Sequence, residues 1–163
     1  IASMCQAADT TGVGPMAAVA GAVAEAVGEK LLQFSEQVII ENGGDIFLNT
    51  LVARRISIYA GKSRLSGRLG LEIPQKSRLG ICTSSGTVGH SHSSGCADGA
   101  VIVASDTALA DAAATAMGNR VKSPEDIEGA LHWTRSIDGV AHAAVILDET
   151  FGTIGELKVI KTD

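Results

Sequence analysis

Short apolar runs separated by tight-turn signals constrain the fold of this chain more than any other feature. The turn Asn42-Gly43-Gly44-Asp45 separates two such runs, at 38–41 and 46–48. An Asn-Gly pair in this position is a strong hairpin signal, because glycine and asparagine tolerate the positive φ that the turn requires. Other apolar or alternating runs lie at 54–60, 69–73, 79–83, 97–104, 141–147 and 155–160. Strands joined by short turns pair antiparallel, so we predict a mostly antiparallel sheet.

Three helices are predicted between these strands. One spans 15–34 and opens at Pro15, one spans 107–118 with Asp106 as its N-cap, and one opens at Ser123 and ends near 135. Gly21 and Gly28 weaken the first helix, so we expect them to allow the close approach of another backbone. Helices packed on a mostly antiparallel sheet define an α+β fold.

Composition excludes several classes of protein. With 163 residues, 45% hydrophobic and 19% charged, the chain is expected to fold as a single domain over 1–163 rather than to be disordered. The net charge is −5 and no basic cluster exceeds Arg54–Arg55, so we expect no nucleic-acid partner.

Cysteine usage and hydropathy bear on location. Three cysteines without a CxxC spacing indicate reduced thiols in a cytoplasmic protein, and no apolar run is long enough to predict a membrane span. The chain starts at Ile1, so we expect an N-terminal portion to be missing. The apolar face of the first helix would suit a homo-oligomer.

A polar loop at 82–96 is the first candidate site. It holds seven hydroxyls, two imidazoles, two thiols and three glycines between two apolar strands. Glycines let backbone N–H groups converge on an anion, and hydroxyls add donors. We expect Ser84, Ser85, Gly86 and Thr87 to bind phosphate, and His90 or His92 to act as a general base, since imidazole titrates near neutral pH. The alternative is a Ser/Gly-rich surface loop.

The Ala-rich segment 110–116 is the second candidate site. On a helix, Asp111 and Thr115 are four residues apart and share a face. A carboxylate beside a hydroxyl suits Mg²⁺, which takes substrate phosphates and waters as its other ligands. Alternatively, Asp111 is exposed and the Thr115 hydroxyl bonds back to the helix. Gly43, Gly44 and Asp45 form only a hairpin turn on their own, although the acid could reach a ligand.

These motifs together resemble the ApbE-like superfamily, whose named enzymes are FAD:protein FMN transferases. The resemblance rests on ENGGDIFL at 41–48, TSSG at 83–86 and ALADAAATAMGN at 108–119. It implies that Asp111 and Thr115 hold the Mg²⁺ that engages the FAD pyrophosphate, and that Gly43, Gly44 and Asp45 form the family's turn. GPMAAVAGA and CTSSGTVGHS are similar to an uncharacterised prokaryotic branch of that superfamily.

The chain also departs from the named transferases. They carry a Lys-Gly-type motif on the early helix, where this chain has 19–22 VAGA, and a His-x-x-Asp-Pro segment before the metal helix, where it has HSHSSG at 90–95. Three functions therefore stay open. The first is a Mg²⁺-dependent transferase or hydrolase acting on a phosphate-bearing small molecule such as a flavin (FAD or FMN) or another nucleotide. The second is a non-catalytic ligand-binding or sensing protein, and the third is nucleophilic chemistry at Cys82, Cys96 or a loop serine.

Overall fold

The computed structural model describes residues 1–88 and 94–162, which form four α-helices and nine strands. The helices are α1 (Ala2–Thr11), α2 (Val19–Leu31), α3 (Thr107–Arg120) and α4 (Asp126–Thr134), and a 3₁₀ turn at Pro15–Ala18 leads into α2. The strands are β1 (Val38–Asn42), β2 (Asp45–Thr50), β3 (Arg54–Ser57), β4 (Leu69–Ile73), β5 (Ser77–Ser84), β6 (Gly99–Ala104), β7 (Val140–Leu147), β8 (Thr150–Gly155) and β9 (Lys158–Lys161).

The strands form two antiparallel sheets. The larger has six strands in the order β1-β2-β5-β6-β7-β8, and the smaller has three in the order β3-β4-β9. Every strand pair is antiparallel. The predicted α+β class with helices on a mostly antiparallel sheet is therefore confirmed, as is the hairpin at Asn42-Gly43, where β1 pairs with β2.

The sheets and helices stack in three layers. One face of the six-stranded sheet packs against α3 and α4 through small and aliphatic side chains such as Ala100, Ile102 and Met117. Its other face packs on the three-stranded sheet through residues such as Leu48, Val101 and Leu71. The six-stranded sheet is thus buried on both faces, which accounts for the unbroken burial of β6.

Helix α3 is buried on nearly every side, and small residues make this possible. Its alanines are almost fully buried, between the sheet and helices α1 and α2. A Cβ placed on Gly21 would lie 2.4 Å from the Thr107 carbonyl oxygen, and one on Gly80 would lie 2.4 Å from the Thr107 Cα. The predicted close approach of another backbone therefore holds at Gly21. At Gly28 the neighbour is instead the Phe47 ring, 2.1 Å from the ideal Cβ position.

Two carboxylates cap the start of α3. Asp106 accepts a hydrogen bond from the Leu109 N–H at 2.7 Å, which confirms the predicted N-cap. Glu25 of α2 accepts one from the Thr107 N–H at 2.9 Å. Free N–H groups at a helix N-terminus need such acceptors, so the start of α3 is fixed by its own cap and by α2.

Several element boundaries differ from the sequence prediction. Helix α1 was not predicted, and the first predicted helix divides into a 3₁₀ turn and α2, which ends at Leu31. The run at 141–147 pairs with β8, which begins at Thr150, while β9 joins the other sheet. Among the described residues no single helix is long and apolar enough to cross a membrane. Helix α1 and the segment Pro15–Leu31 reach that length and composition only together, as a pair bent by 111°.

Candidate functional site

A cavity of about 350 Å³ is lined by residues of both sheets and of α3. One wall is polar and comes from the β1–β2 turn, the end of β5 and α3; it comprises Glu41, Gly43, Gly44, Asp45, Thr83, Ser84, Ser85, Asp111 and Thr115. The other wall is apolar and comes from both sheets; it comprises Ile46, Ile56, Ile58, Leu71, Ile81, Val88 and Val101, with Ser57 and Tyr59 beside it. Cavities of this size and mixed lining are typical of small-molecule sites.

Asp111 and Thr115 both line this cavity from one face of α3. Asp111 is 9% exposed, and its Oδ2 accepts a hydrogen bond from the Gly21 N–H at 2.9 Å. Burial raises the pKa of Asp111 to about 6, while hydrogen bonds from the backbone of Gly21 and Ala20 act in the opposite direction. The close approach of α2 at Gly21 is what brings this donor to the carboxylate.

Asp45 brings a second buried carboxylate to the same cavity. It follows the glycine turn, where Gly43 and Gly44 have φ of 67° and 104° and Gly44 N–H bonds to Glu41 Oε1 at 2.8 Å. Burial, followed by the charge of Asp111, raises the pKa of Asp45 to about 7. Hydrogen bonds from the Cys82 thiol and the Thr83 backbone only partly offset this rise.

The β1–β2 turn is tied to α2 beside Asp111. Asn42 Nδ2 donates to the Ala20 carbonyl at 3.1 Å, and the next residue of α2 is Gly21, which bonds to Asp111. One short stretch of α2 therefore holds both acidic elements in place. No sequence signal links the Asn-Gly turn to that helix, since the contact spans about twenty residues of chain.

The polar loop after β5 contributes less to the cavity than its composition indicates. Ser84 and Ser85 line the cavity, but Ser85 Oγ also accepts hydrogen bonds from the N–H groups of Thr87 (3.1 Å) and Val88 (2.9 Å). The Gly86 N–H donates to the Ala97 carbonyl at 2.8 Å. The predicted bases His90 and His92 lie outside the described residues.

Asp98 fixes this loop, and sequence reasoning missed it. It is 7% exposed, and its Oδ1 accepts a hydrogen bond from Thr87 Oγ1 at 2.7 Å. Its Oδ2 accepts another from the Asp148 N–H at 2.7 Å. Both carboxylate oxygens are used, so Asp98 joins the loop to the β7–β8 turn. Its neighbours in sequence, Ala97 and Gly99, give no hint of this role.

Cys82 is also beside the site. The side chain is fully buried, its Sγ lies 3.5 Å from the Thr107 carbonyl oxygen, and its thiol bonds to Asp45. Burial and the two nearby carboxylates raise the pKa of this thiol well above its usual value. Because the thiolate is the reactive form, nucleophilic chemistry at Cys82 is disfavoured.

The polar wall supplies hard oxygen donors and no cation. Among the described lining residues there is no lysine, arginine or histidine. Two buried carboxylates and the Thr115 hydroxyl form a donor set that fits a hard divalent cation. In the described ranges no three His, Cys, Asp or Glu side chains come together to hold a metal by themselves, so such a cation would also need ligand oxygens or water.

The fold is similar to that of a solved flavin transferase. A solved structure described as Flavin Transferase ApbE from Vibrio cholerae matches with a TM-score of 0.58 and 18% identity, over 87% of this chain and 50% of that one. At this level of identity the match establishes the fold.

Sequence comparison identifies the family. A family model described as "AbpE bacteria" matches residues 1–148. A UPF0280 protein of Methanocella arvoryzae is 43% identical over 96% of this chain and 64% of its own length, and one of Methanococcus aeolicus is 38% identical over 100% and 68%. The chain belongs to this ApbE-like family, as the motifs predicted. It spans about two thirds of the length of these relatives.

Proposed function

We propose that the cavity binds a phosphate-bearing small molecule, a flavin or another nucleotide, together with Mg²⁺. The observation that carries this proposal is the pair of buried carboxylates, Asp45 and Asp111, facing one cavity without a cationic side chain among its described lining residues. Uncompensated buried charge is costly, so such a pair is best explained by a cation that binds there. The ApbE-like family membership supports flavin-related chemistry.

The two walls of the cavity suit the two halves of such a ligand. The apolar wall, including Ile58, Leu71 and Val101, would face a ring system, and the polar wall would face phosphate. The cation would hold the phosphates against the polar wall, since a wall of carboxylates repels a bare phosphate. Ser84 and Ser85 would add hydroxyl donors.

In this arrangement Asp111 and Thr115 would hold the metal, with Asp45 close enough to add negative charge. Bound Mg²⁺ neutralises phosphate charge and polarises phosphoryl oxygens. The Gly43-Gly44 turn sets the position of Asp45, and the Gly21 N–H orients the Asp111 carboxylate. His90 or His92 would serve as the general base in a transferase or hydrolase. A non-catalytic binder would use the same ligand contacts without that step.

Binding of FMN, FAD and ADP, measured by flavin fluorescence and calorimetry with and without Mg²⁺, tests the site. We expect Mg²⁺-dependent binding of at least one ligand, and Asp111→Asn or Thr115→Val to weaken it by about tenfold or more. The matched control is Asp138→Asn, an exposed carboxylate away from the cavity. If Asp111→Asn and Asp138→Asn bind equally well, or if Mg²⁺ has no effect, the site assignment is wrong.

Mass spectrometry of the incubated ligand and protein separates the catalytic from the non-catalytic alternative. A transferase leaves a covalent flavin adduct on an acceptor and a free nucleotide, and a hydrolase leaves two soluble products. Binding without any product, in the presence of Mg²⁺, would favour a ligand-binding or sensing protein.

A further inference from the structure

The basic residues of this acidic protein are concentrated on its smaller sheet. Eight of the thirteen lysines and arginines lie in residues 54–76 and 158–161, where the only acidic residue is Glu72. The rest of the chain has five basic against seventeen acidic residues. We call the eight the basic sheet; they are Arg54, Arg55, Lys62, Arg64, Arg68, Lys76, Lys158 and Lys161.

None of the eight lines the cavity. Four lie in the strands of the smaller sheet, three lie in the connection between β3 and β4, and Lys76 follows β4. Register places Arg55, Glu72 and Lys158 in one row across β3, β4 and β9, and both basic residues are exposed. Lys158 Nζ lies 3.7 Å from Glu72, and Arg64 Nη1 lies 3.0 Å from Glu149. Such exposed pairs are weak, so they do little to offset the excess of basic over acidic side chains in and around these strands.

Strand β3 gives this face a free edge. In the described part of the chain β3 pairs only with β4, so it ends the smaller sheet. The Ile58 N–H bonds to the Leu69 carbonyl at 2.8 Å just beyond β3. Because donors alternate in direction along an antiparallel strand, the backbone groups of Arg55 and Ser57 point away from β4. An edge of this kind can accept an additional strand.

We propose that the basic sheet binds an extended acidic segment of a partner protein, which pairs with the β3 edge. Acidic side chains on the exposed face of that segment would lie beside Arg55, and backbone pairing would fix its register. Ser57 lies on this edge and also lines the cavity, with Ile58 and Tyr59 following it, so the bound segment would pass the cavity mouth. This surface goes beyond the proposed function, because it does not depend on which ligand the cavity holds.

The charge distribution favours a short acidic protein segment over other anionic partners. A nucleic acid carries a continuous line of phosphates, and it would extend from the basic sheet onto the strongly acidic remainder of the molecule. A flat anionic membrane would likewise bring that remainder close to its own charge. A strand of a few residues fits within the positive area.

Fluorescence anisotropy with a labelled peptide of about eight alternating Glu and Val residues tests the proposal. We expect saturable binding that weakens as salt is raised, and Arg55→Glu to weaken it by roughly fivefold or more. Lys30→Glu, an exposed cation on α2, is the matched control and should bind as the wild type does. A peptide N-methylated along one edge should lose binding, because it cannot donate to β3.

Each of these results would overturn the proposal: no binding of the peptide, equal loss of affinity in Lys30→Glu, equal binding of the N-methylated peptide, or tighter binding of single-stranded DNA or phosphatidylserine vesicles through Arg55. Circular dichroism of each variant establishes that a loss of binding is not a loss of fold. Concentration-dependent sedimentation of the wild type without peptide, abolished by Arg55→Glu, would assign the face to a second copy of the chain and would also overturn it.

Discussion

Replacing Asp45 by asparagine is expected to stabilise the protein at pH 8 and to leave its stability nearly unchanged at pH 4. The pKa of Asp45 rises from 3.8 to about 7 on folding, through burial and the charge of Asp111. Below pH 4 the carboxyl is protonated in both the folded and unfolded states. Between pH 4 and pH 7 only the unfolded state loses the proton, so the stability of the wild type falls as pH rises. Above pH 7 the folded state carries the full free-energy cost of the ionised, buried Asp45 carboxylate.

The size of that penalty follows from the shift. About three pKa units correspond to about 4 kcal/mol of unfolding free energy. Asparagine keeps an oxygen that can accept from the Cys82 thiol and the Thr83 N–H, and it removes the repulsion from Asp111. We therefore expect Asp45→Asn to raise the unfolding free energy by about 2–4 kcal/mol at pH 8. The lower figure allows for the cost of burying the amide.

Urea unfolding of the wild type and Asp45→Asn at half-unit steps between pH 4 and pH 8 measures this difference. It should be near zero at pH 4 and grow steadily towards pH 7. Asp138→Asn, which changes an exposed carboxylate, should show no such growth. A difference that stays constant with pH, or a variant less stable than the wild type at pH 8, would refute the reasoning. Added Mg²⁺ should raise wild-type stability at pH 8 and so reduce the difference in unfolding free energy between Asp45→Asn and the wild type.

Three further predictions address the scaffold. Gly21→Ala should lower the unfolding free energy by about 1–3 kcal/mol in urea titrations, because its Cβ would meet the Thr107 carbonyl; an unchanged midpoint would contradict the packing. His142 is buried, its pKa is lowered, and its Nδ1 accepts from a backbone N–H, so the stability that this histidine contributes should be lost as pH drops below 6.5, against the opposite effect of Asp45, and a His142→Gln minus wild-type comparison should isolate that part of the pH dependence. Asp98→Asn should lower the unfolding free energy by about 1–3 kcal/mol, because it weakens the hydrogen bond from the Thr87 hydroxyl. It should also weaken ligand binding, and a ligand affinity equal to that of the wild type would contradict the role of Asp98 in holding the loop.

Local signals predicted the parts of the fold that depend on local chemistry. The Asn42-Gly43 hairpin, the Asp106 cap and the shared face of Asp111 and Thr115 follow from turn geometry, capping and helical periodicity. Helix α1 was missed because it offers no side-chain cap and buries only three small residues along its length. Without a strong apolar stripe, nothing in its sequence separates it from a loop.

The remainder of the site depends on contacts that periodicity cannot encode. The apolar wall combines residues of β3 and β4 with residues of the larger sheet, and the two sheets come together only in the folded state. Strand β8 was also missed, since it is only partly buried and begins at Thr150, before the apolar run predicted at 155–160; most of that run lies in or next to β9. Asp98 carries no motif, since its role comes from Thr87 and from the distant turn at Asp148.

The small residues around α3 and the acidic cavity have a common cause. Gly21 lets α2 approach closely enough for its N–H to reach Asp111, and Gly80 lets β5, which ends at the cavity, approach the start of the same helix. The tight packing that buries α3 therefore also buries Asp111 and brings Asp45 near it. A core of this kind would be more stable with a neutral side chain at either position, by the argument made for Asp45→Asn. In the proposed function, a cation bound beside Asp45 and Asp111 would convert the repulsion between the two carboxylates into an attraction.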